Sequence, residues 1–216
     1  MNNSPIDIDK LIEGTNEILT ANRNSLQLFD MLHSMRQFDD LTYVHSVNVA
    51  LIASILGQWL KFSEKDIRIL TISGLLHDIG KIMIPNEILT KPGKLTVAEY
   101  NIMKQHVNFG YEKVKNQNID IRIKEACLLH HEKCDGTGYP FGLKSDHIPA
   151  VAKIIAIADV YDAMTSARVY RGALCPFEVI DTMYKDAFTK FEPEYILPFL
   201  KNVASSYINN LSLIHI

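Results

Sequence analysis

The chain has 216 residues, of which 47% are hydrophobic and 22% are charged, and its formal net charge is −3. This length and composition are typical of one globular domain, and the small negative charge excludes a general electrostatic attraction to nucleic-acid polymers or anionic membranes. The 3 cysteines form no CxxC pair, the first residues carry no apolar signal core, and no apolar run reaches the roughly 18 residues of a membrane span, so we expect a soluble, cytoplasmic protein with reduced thiols.

The N-terminal region, residues 1–39, is predicted to contain a helix. Apolar side chains recur at helical spacing between about Ile6 and Leu32. Two interpretations fit this pattern equally well. The helix could cap the core of the domain, or it could form a homodimer and lead from an upstream module.

The main domain is assigned to residues 40–210 and begins with two predicted helices. The first runs from about Thr42 to Leu60, and the segment from Ser63 to Asp66 resembles a capping box that opens the second. The second helix is apolar and ends at the adjacent pair His77 and Asp78. The prolines and the glycine that follow predict a loop with one short turn.

Two further helices are predicted in the middle of the domain. Another capping-box pattern, from Thr96 to Glu99, starts a helix that carries His106, and Gly110 is expected to break or bend it. The next helix begins near Ile119 and ends at His130 and His131.

The C-terminal part is predicted to be a loop followed by three helices. Glycine and proline between Asp135 and Pro140 indicate the loop. Helices are expected from about 150 to 165, after Pro176, and from about 193 to 208, and residues 211–216 form a tail without an assigned role. Because no useful length of sequence alternates like a strand, we predict an all-α, single-domain helical bundle.

Some polar residues interrupt the apolar pattern of these helices. Adjacent helical side chains point about 100° apart, so His77 and Asp78 cannot share one outward face, and at least one must turn inward. An unpaired polar group in the interior costs several kcal/mol. A bound metal ion would remove that cost for both residues.

Five more residues of the same kind occupy inward positions: His45, His106, His130, His131 and Asp159. Any one of them could be a core side chain with its own hydrogen-bond partner, but one metal site explains them together. Imidazole and carboxylate ligands without thiolate favour iron, manganese, nickel or zinc. A carboxylate beside a histidine, as at Asp78, suits a bridge between two ions about 3.5–4 Å apart, an arrangement that promotes displacement at phosphorus.

The same residues give the chain a family resemblance. His45, His77-Asp78, His106, His130-His131 and Asp159 follow the ligand order of the HD phosphohydrolase superfamily. The segments 130–140 and 158–166, followed by Arg168 and Arg171, resemble the extended signature of the HD-GYP subgroup. The resemblance covers roughly residues 40–199 and implies a helical bundle of the HD-domain type with a metal site in its core.

The resemblance implies a cyclic di-GMP phosphodiesterase that produces linear pGpG, or continues to GMP. Two divalent transition-metal ions are implied, with iron or manganese favoured and nickel or zinc also compatible. A hydroxide between the two ions would attack phosphorus, and Asp78 would bridge them. The implied metal ligands are His45, His77, Asp78, His106, His130, His131 and Asp159.

The resemblance also implies substrate contacts. Lys81 could neutralise a phosphate oxygen during catalysis, or it could only form a local salt bridge. Arg168 and Arg171, one helical turn apart, could hold phosphate or guanine, or lie on an exposed helix end. Tyr139 could contact a guanine, or belong to a turn with no ligand contact. The remaining candidates are Gly136, Gly138 and Pro140, which would shape the loop, and Glu132, Asp135 and Asp162, which could orient the ligand imidazoles.

One position departs from the pattern of some members of the family. Those members carry a glutamate four residues before the first histidine, where it serves a third metal, and this chain has Leu41 there. We therefore predict a binuclear site. The second cleavage, to GMP, is better suited to trinuclear members.

Two alternatives to this function are considered. The chain could be an HD phosphohydrolase for a mononucleotide or another cyclic dinucleotide, although the loop at Tyr139 and the two arginines argue against a mononucleotide. It could instead be a catalytically silent module that binds cyclic dinucleotides or signalling partners. Silent relatives tend to lose ligands, whereas this chain keeps the whole set. An upstream sensor or receiver module is the expected partner.

Overall fold

The computed structural model describes residues 41–166 and 175–214, and the side chains of 44–166 and 175–209. Within these residues it is helical and contains no strand, only an isolated antiparallel bridge between Asp135 and Lys144. The predicted all-α fold is confirmed. The described helices are α1 Leu41–Trp59, α2 Glu64–Leu76, α3 Asn86–Leu89, α4 Val97–Met103, α5 His106–Val114, α6 Ile121–Leu129, α7 Ala150–Thr165, α8 Pro176–Asp186 and α9 Pro193–Ile214, with short 3-10 helices at Ile79–Met83 and Ser145–His147.

Some predictions lie outside the described residues. These are the N-terminal helix of residues 1–39 and the two arginines, Arg168 and Arg171. The C-terminal helix α9 extends to Ile214 rather than ending near Ile208, so it enters the segment assigned to a tail.

Both predicted caps begin helices. The Ser63 hydroxyl accepts a hydrogen bond from the backbone N–H of Asp66 at the start of α2. At the start of α4 the capping box is complete, because Thr96 and Glu99 each bond the other's backbone N–H. Such caps satisfy N–H groups that have no partner inside the helix, which is why these starts were readable from the sequence.

The expected helix through His106 is wrong, because the chain breaks before this residue. Helix α4 ends at Met103, and His106 is the first residue of α5. Gly110 does not break a helix but lies buried inside α5. A Cβ atom at Gly80 would lie 2.0 Å from the carbonyl oxygen of His106 and 2.4 Å from the backbone nitrogen of Gly110. The glycines therefore allow α5 to pack directly on the segment that follows Asp78.

Helix α7 occupies the centre of the bundle. It contacts α1, α2, α6, α8 and α9, and its Ile154, Ile155 and Ile157 are completely buried. Burying each such side chain contributes about 1.5–3 kcal/mol relative to leaving it exposed. The same helix also buries Asp159 and Asp162, so the apolar core and the polar site share one central element.

No helix among the described residues combines the length and the apolar character needed to cross a membrane.

Candidate metal centre

The seven predicted metal ligands meet at one place in the bundle. His45 comes from α1, His77 and Asp78 from the end of α2, His106 from the start of α5, and Asp159 from α7, while His130 and His131 follow α6. They form two groups in which one ligand atom from each residue lies within 4.8 Å of the others. We call His45, His77 and Asp159 the first group, and Asp78, His106, His130 and His131 the second group.

Asp78 faces both groups with different oxygens. Its Oδ2 lies 3.5 Å from Nε2 of His45 and 3.3 Å from Nε2 of His77. Its Oδ1 lies 3.3 Å from Nε2 of His106 and 3.9 Å from Nε2 of His130. One carboxylate is thus shared between the groups, as a bridging ligand would be.

The two carboxylate oxygens of Asp159 also face different groups, and the sequence did not predict this. Its Oδ1 lies 3.1 Å from Nε2 of His45, in the first group. Its Oδ2 lies 3.8 Å from Nδ1 of His131, in the second group. Two carboxylates therefore connect the two groups.

Four of the imidazoles are fixed through Nδ1. His77, His106 and His130 lie 2.7, 2.8 and 3.0 Å from the carbonyl oxygens of Gly74, Met103 and Ala126, respectively. Nδ1 of His45 lies 2.7 Å from Oδ2 of Asp162. Because a carbonyl oxygen can only accept, Nδ1 of the first three must carry the proton, and Nε2 then presents a lone pair to the site.

These lone pairs face carboxylate oxygens, which are also acceptors. Nε2 of His77, Nε2 of His45 and Oδ1 of Asp78 are buried and make no hydrogen bond in the described structure. An unpaired buried polar atom costs about 1–3 kcal/mol. A cation between the acceptors removes this cost, so the residues present fit a metal site.

Burial keeps the second group neutral at its histidines. It lowers the pKa of His131 to about 4 and the pKa of His130 well below its usual value, and neighbouring histidines lower the latter further. Burial also lowers the pKa of His106. Neutral imidazoles are the form that binds metal ions.

The carboxylate of Asp78 has a lowered pKa, and the imidazole of His45 has a raised one. Burial would raise the pKa of Asp78, but Lys81 and His77 outweigh it and hold that pKa well below the usual value. Burial would lower the pKa of His45, but the neighbouring carboxylates of Asp159, Asp162 and Asp78 raise it well above 6.5.

The residues predicted to orient the imidazoles divide into two kinds. Asp162 does contact a ligand, and it also accepts hydrogen bonds from Asn48 at 2.9 Å and Ser166 at 3.0 Å. Asp135 instead accepts from the backbone and hydroxyl of Thr137. Asn48 and Ser166 were not singled out from the sequence, although Asn48 follows His45 at the helical spacing of three residues.

Glu132 holds a loop rather than an imidazole. Its buried carboxylate accepts hydrogen bonds from the backbone N–H groups of Phe141, Gly142 and Leu143 at 2.7, 3.1 and 2.9 Å. These hydrogen bonds fold the loop back onto Glu132, which directly follows His131 in the sequence. The predicted role of Glu132 is replaced by this clamp.

The loop that Glu132 clamps places Tyr139 against the metal centre. The ring of Tyr139 stacks on the ring of His131, with centroids 4.7 Å apart and planes inclined by 28°. Gly136 has φ +83°, and a Cβ at Gly138 would lie 2.4 Å from the backbone nitrogen of Lys133. Both glycines therefore have the predicted loop-shaping position, and Pro140 follows in the same loop.

Lys81 forms an ion pair with Asp78 and is only partly buried. The local salt bridge considered from the sequence is therefore present. Two residues that the sequence analysis did not single out, Tyr100 and Lys104, lie beside Tyr139 at the edge of the site.

Comparison with known proteins gives a family and several relatives. A family model described as "HD domain" matches residues 12–195. The cyclic di-GMP phosphodiesterase response regulator RpfG of Xanthomonas campestris is 36% identical over 197 residues, which are 90% of this chain and 52% of that protein. The cyclic di-GMP phosphodiesterase PA4108 of Pseudomonas aeruginosa is 38% identical over 170 residues, or 78% of this chain and 41% of that protein. The chain thus spans about half or less of the length of these relatives.

A solved structure supports the same fold. Bd1817, described as an HDG"Y"P protein from Bdellovibrio bacteriovorus, superposes with a TM-score of 0.71 over 93% of this chain and 66% of its own, at 18% sequence identity. The predicted helical bundle of the HD-domain type is confirmed.

Proposed function

The chain belongs to the HD domain family, and from this membership we propose that it is a metal-dependent phosphodiesterase that hydrolyses cyclic di-GMP to linear pGpG. The activity named for the two curated relatives supports this substrate. The observation that carries the proposal is the arrangement of Asp78, whose two oxygens face two separate groups of buried imidazoles. Such a shared carboxylate suits a site for hydrolysis of a phosphodiester.

We propose that the site holds two divalent transition-metal ions, one at each group. Iron or manganese fits the ligand set best, and nickel or zinc is also compatible, because the donors are imidazole and carboxylate without thiolate. The thiol of Cys127 donates a hydrogen bond to the carbonyl oxygen of Leu76 and does not belong to either group of predicted ligands. When bound, the ions supply Lewis acidity at the phosphate and acidify a water molecule so that it can attack near neutral pH.

The remaining residues of the site prepare it for an anionic substrate. Lys81 forms an ion pair with Asp78 and would donate a hydrogen bond to a phosphate oxygen of the bound substrate. Tyr139 covers His131 with its ring, and its hydroxyl would hydrogen-bond a guanine. Glu132 holds the loop so that this ring stays in place.

Arg168 and Arg171 complete the proposed substrate contacts. They follow Ser166, whose hydroxyl bonds the carboxylate of Asp162 at 3.0 Å. Asp162 in turn orients His45. Arg168 and Arg171 come two and five residues after Ser166 in the sequence, and their two guanidinium groups would bind phosphate or guanine.

Cleavage is proposed to stop at pGpG, because Leu41 stands where a third metal would need a carboxylate ligand. A hydrocarbon side chain offers no donor atom. The first bond broken opens the ring of the substrate, and its linear product retains the second phosphodiester.

The test is hydrolysis by protein purified without oxygen and loaded with Fe(II) or Mn(II). Chromatography should show loss of cyclic di-GMP and accumulation of pGpG, with little GMP. Retained dinucleotide binding without turnover would favour the silent binding module. Faster hydrolysis of a mononucleotide or of an adenine-containing cyclic dinucleotide would reassign the substrate.

A further inference from the structure

Lys104 lies at the edge of the metal centre, in the break between two helices. It directly follows α4 and precedes His106 by two residues. Nδ1 of His106 bonds the carbonyl oxygen of Met103 at 2.8 Å, so the backbone at Lys104 is fixed to a residue of the second group. The side chain is half-buried, whereas the neighbouring Gln105 is exposed.

Two aromatic rings hold the ammonium group of Lys104. Its Nζ lies 5.3 Å from the ring centroid of Tyr100 and 5.9 Å from that of Tyr139. Both distances are within the range of a cation–π interaction. Since Tyr139 itself stacks on His131, the ammonium group contacts a ring that lies against a predicted metal ligand.

The charge of Lys104 has no acidic partner among the described residues. Two lysines earlier in the sequence are each paired with an acid, Lys81 with Asp78 and Lys91 with Glu99. A half-buried ammonium that no carboxylate neutralises is available to an anion from outside the chain. An aromatic neighbour steadies such a group without neutralising its charge.

We infer that Lys104 binds the phosphate of the cyclic dinucleotide that is not being cleaved, and this rests on the proposed function. A cyclic dinucleotide carries two phosphates in one ring. When one phosphate lies at the metal centre, the other is carried away from it by the ring of the dinucleotide. We place it beside Tyr139, where Lys104 has its positive charge and Tyr100 holds the ammonium group.

The test compares Lys104→Met, which keeps the length of the side chain and removes its charge, with Lys104→Arg, which restores the charge. Two substrates are used on metal-loaded protein: cyclic di-GMP, and bis(p-nitrophenyl) phosphate, which has a single phosphate. For Lys104→Met we expect the KM for cyclic di-GMP to rise about tenfold, the loss expected for one charge-assisted hydrogen bond. Its kcat and its activity on bis(p-nitrophenyl) phosphate should stay within about twofold, and Lys104→Arg should recover most of the affinity.

A matched control is Lys185→Met, which removes an exposed lysine of α8 that is paired with Asp181. It should leave both substrates unaffected. Unchanged KM in Lys104→Met would overturn the inference. An equal loss on both substrates would also overturn it, because it would show that Lys104 acts only by supporting His106.

Calorimetry measures the binding of cyclic di-GMP at a low temperature, at which catalysis is slow. This measurement separates the inference from the proposed function. If wild-type protein binds the dinucleotide but does not cleave it, the proposed function fails, and weaker binding by Lys104→Met still supports the role of Lys104. If wild-type protein neither binds nor cleaves it, both are wrong.

Discussion

The two groups of predicted ligands differ at His45, both in what holds its imidazole and in the direction in which its pKa is shifted. In the second group, His106 and His130 are fixed by carbonyl oxygens three and four residues away in the chain. In the first group, His77 is fixed in the same way by Gly74, but His45 is fixed by the carboxylate of Asp162, which is 117 residues away. The pKa values of the histidines in the second group are lowered, whereas the pKa of His45 is raised. Support from a nearby backbone is hard to remove by mutation, but support from a distant side chain depends on one residue.

A single substitution of the shared carboxylate, Asp78, should disrupt both groups. Asp78→Ala removes the oxygens that face both groups, so we expect turnover of cyclic di-GMP to fall by about a thousandfold or more, because several kcal/mol of transition-state stabilisation are lost. Elemental analysis should show that both ions are depleted. Asp146→Ala, at an exposed carboxylate, is the control and should retain activity. Full activity in Asp78→Ala would show that Asp78 does not bridge.

The two groups should also be separable by removing one histidine at a time. His45→Ala and His130→Ala each remove a ligand from one group only. We expect each variant to retain about one ion per chain and to lose nearly all turnover, since clamping of the phosphate needs both ions. Metal content by elemental analysis and turnover by chromatography check this. Loss of both ions in both variants would mean that the groups bind cooperatively as one site.

Removing the charge of Asp162, the distant side chain that holds His45, should have a smaller effect on metal binding. Asp162→Asn keeps the size of the residue but removes the charge that orients His45. Metal affinity should fall by about 10–100-fold, as is typical for residues that support a ligand, and the loss should concern one ion per chain. Competition with a chelator measures it, with the exposed Asp181→Asn as control. Equal weakening of both ions would contradict the distinction between the groups.

The clamp at Glu132 should affect substrate rather than metal. Glu132→Gln leaves one amide oxygen to accept what two carboxylate oxygens now accept from three N–H groups. We expect a loss of about 1–3 kcal/mol in the free energy of unfolding and a higher KM, with two ions retained. Urea unfolding and kinetics test this, and Glu87→Gln, at an exposed residue, is the control. Loss of an ion would show that Glu132 supports His131 directly.

A carboxylate outside both groups shows how small an ordinary ion pair is by comparison. Arg122 lowers the pKa of Asp120 from 3.8 to about 2. The stabilisation is present above the unfolded pKa and is lost as pH falls toward the folded one. Asp120→Asn should therefore cost less than about 1 kcal/mol at pH 7, and the difference from wild type should shrink from about pH 4 downward. A difference that grows on acidification would contradict this assignment.

Much of this architecture was readable from local sequence. The caps at Ser63 and Thr96 depend on residues three positions apart, and the pair His77 and Asp78 stands out because it ends an apolar helix. The family resemblance then predicts seven metal ligands, and the structure brings these seven residues together. The helix break before His106 was misplaced, because Gly110 permits close packing with Gly80 instead of breaking a helix, and a single sequence does not reveal that approach.

Contacts between distant segments account for what the sequence did not provide. The support of His45 by Asp162 was among the predicted candidates, but Asn48 and Ser166, which share that carboxylate, were not. The role of Glu132 was misassigned, since its neighbour His131 suggested an imidazole partner rather than the loop that folds back over it. The two-sided position of Asp159 depends on which way each oxygen points, and no spacing rule encodes that.

The central claim is that two groups of side chains, joined by Asp78, each hold one cation. Elemental analysis of wild-type protein purified without oxygen tests it most directly, because it gives metal identity and stoichiometry together. We predict close to two ions per chain, mainly iron or manganese. One ion or three ions per chain, or a protein that binds no transition metal when it is supplied, would contradict this account.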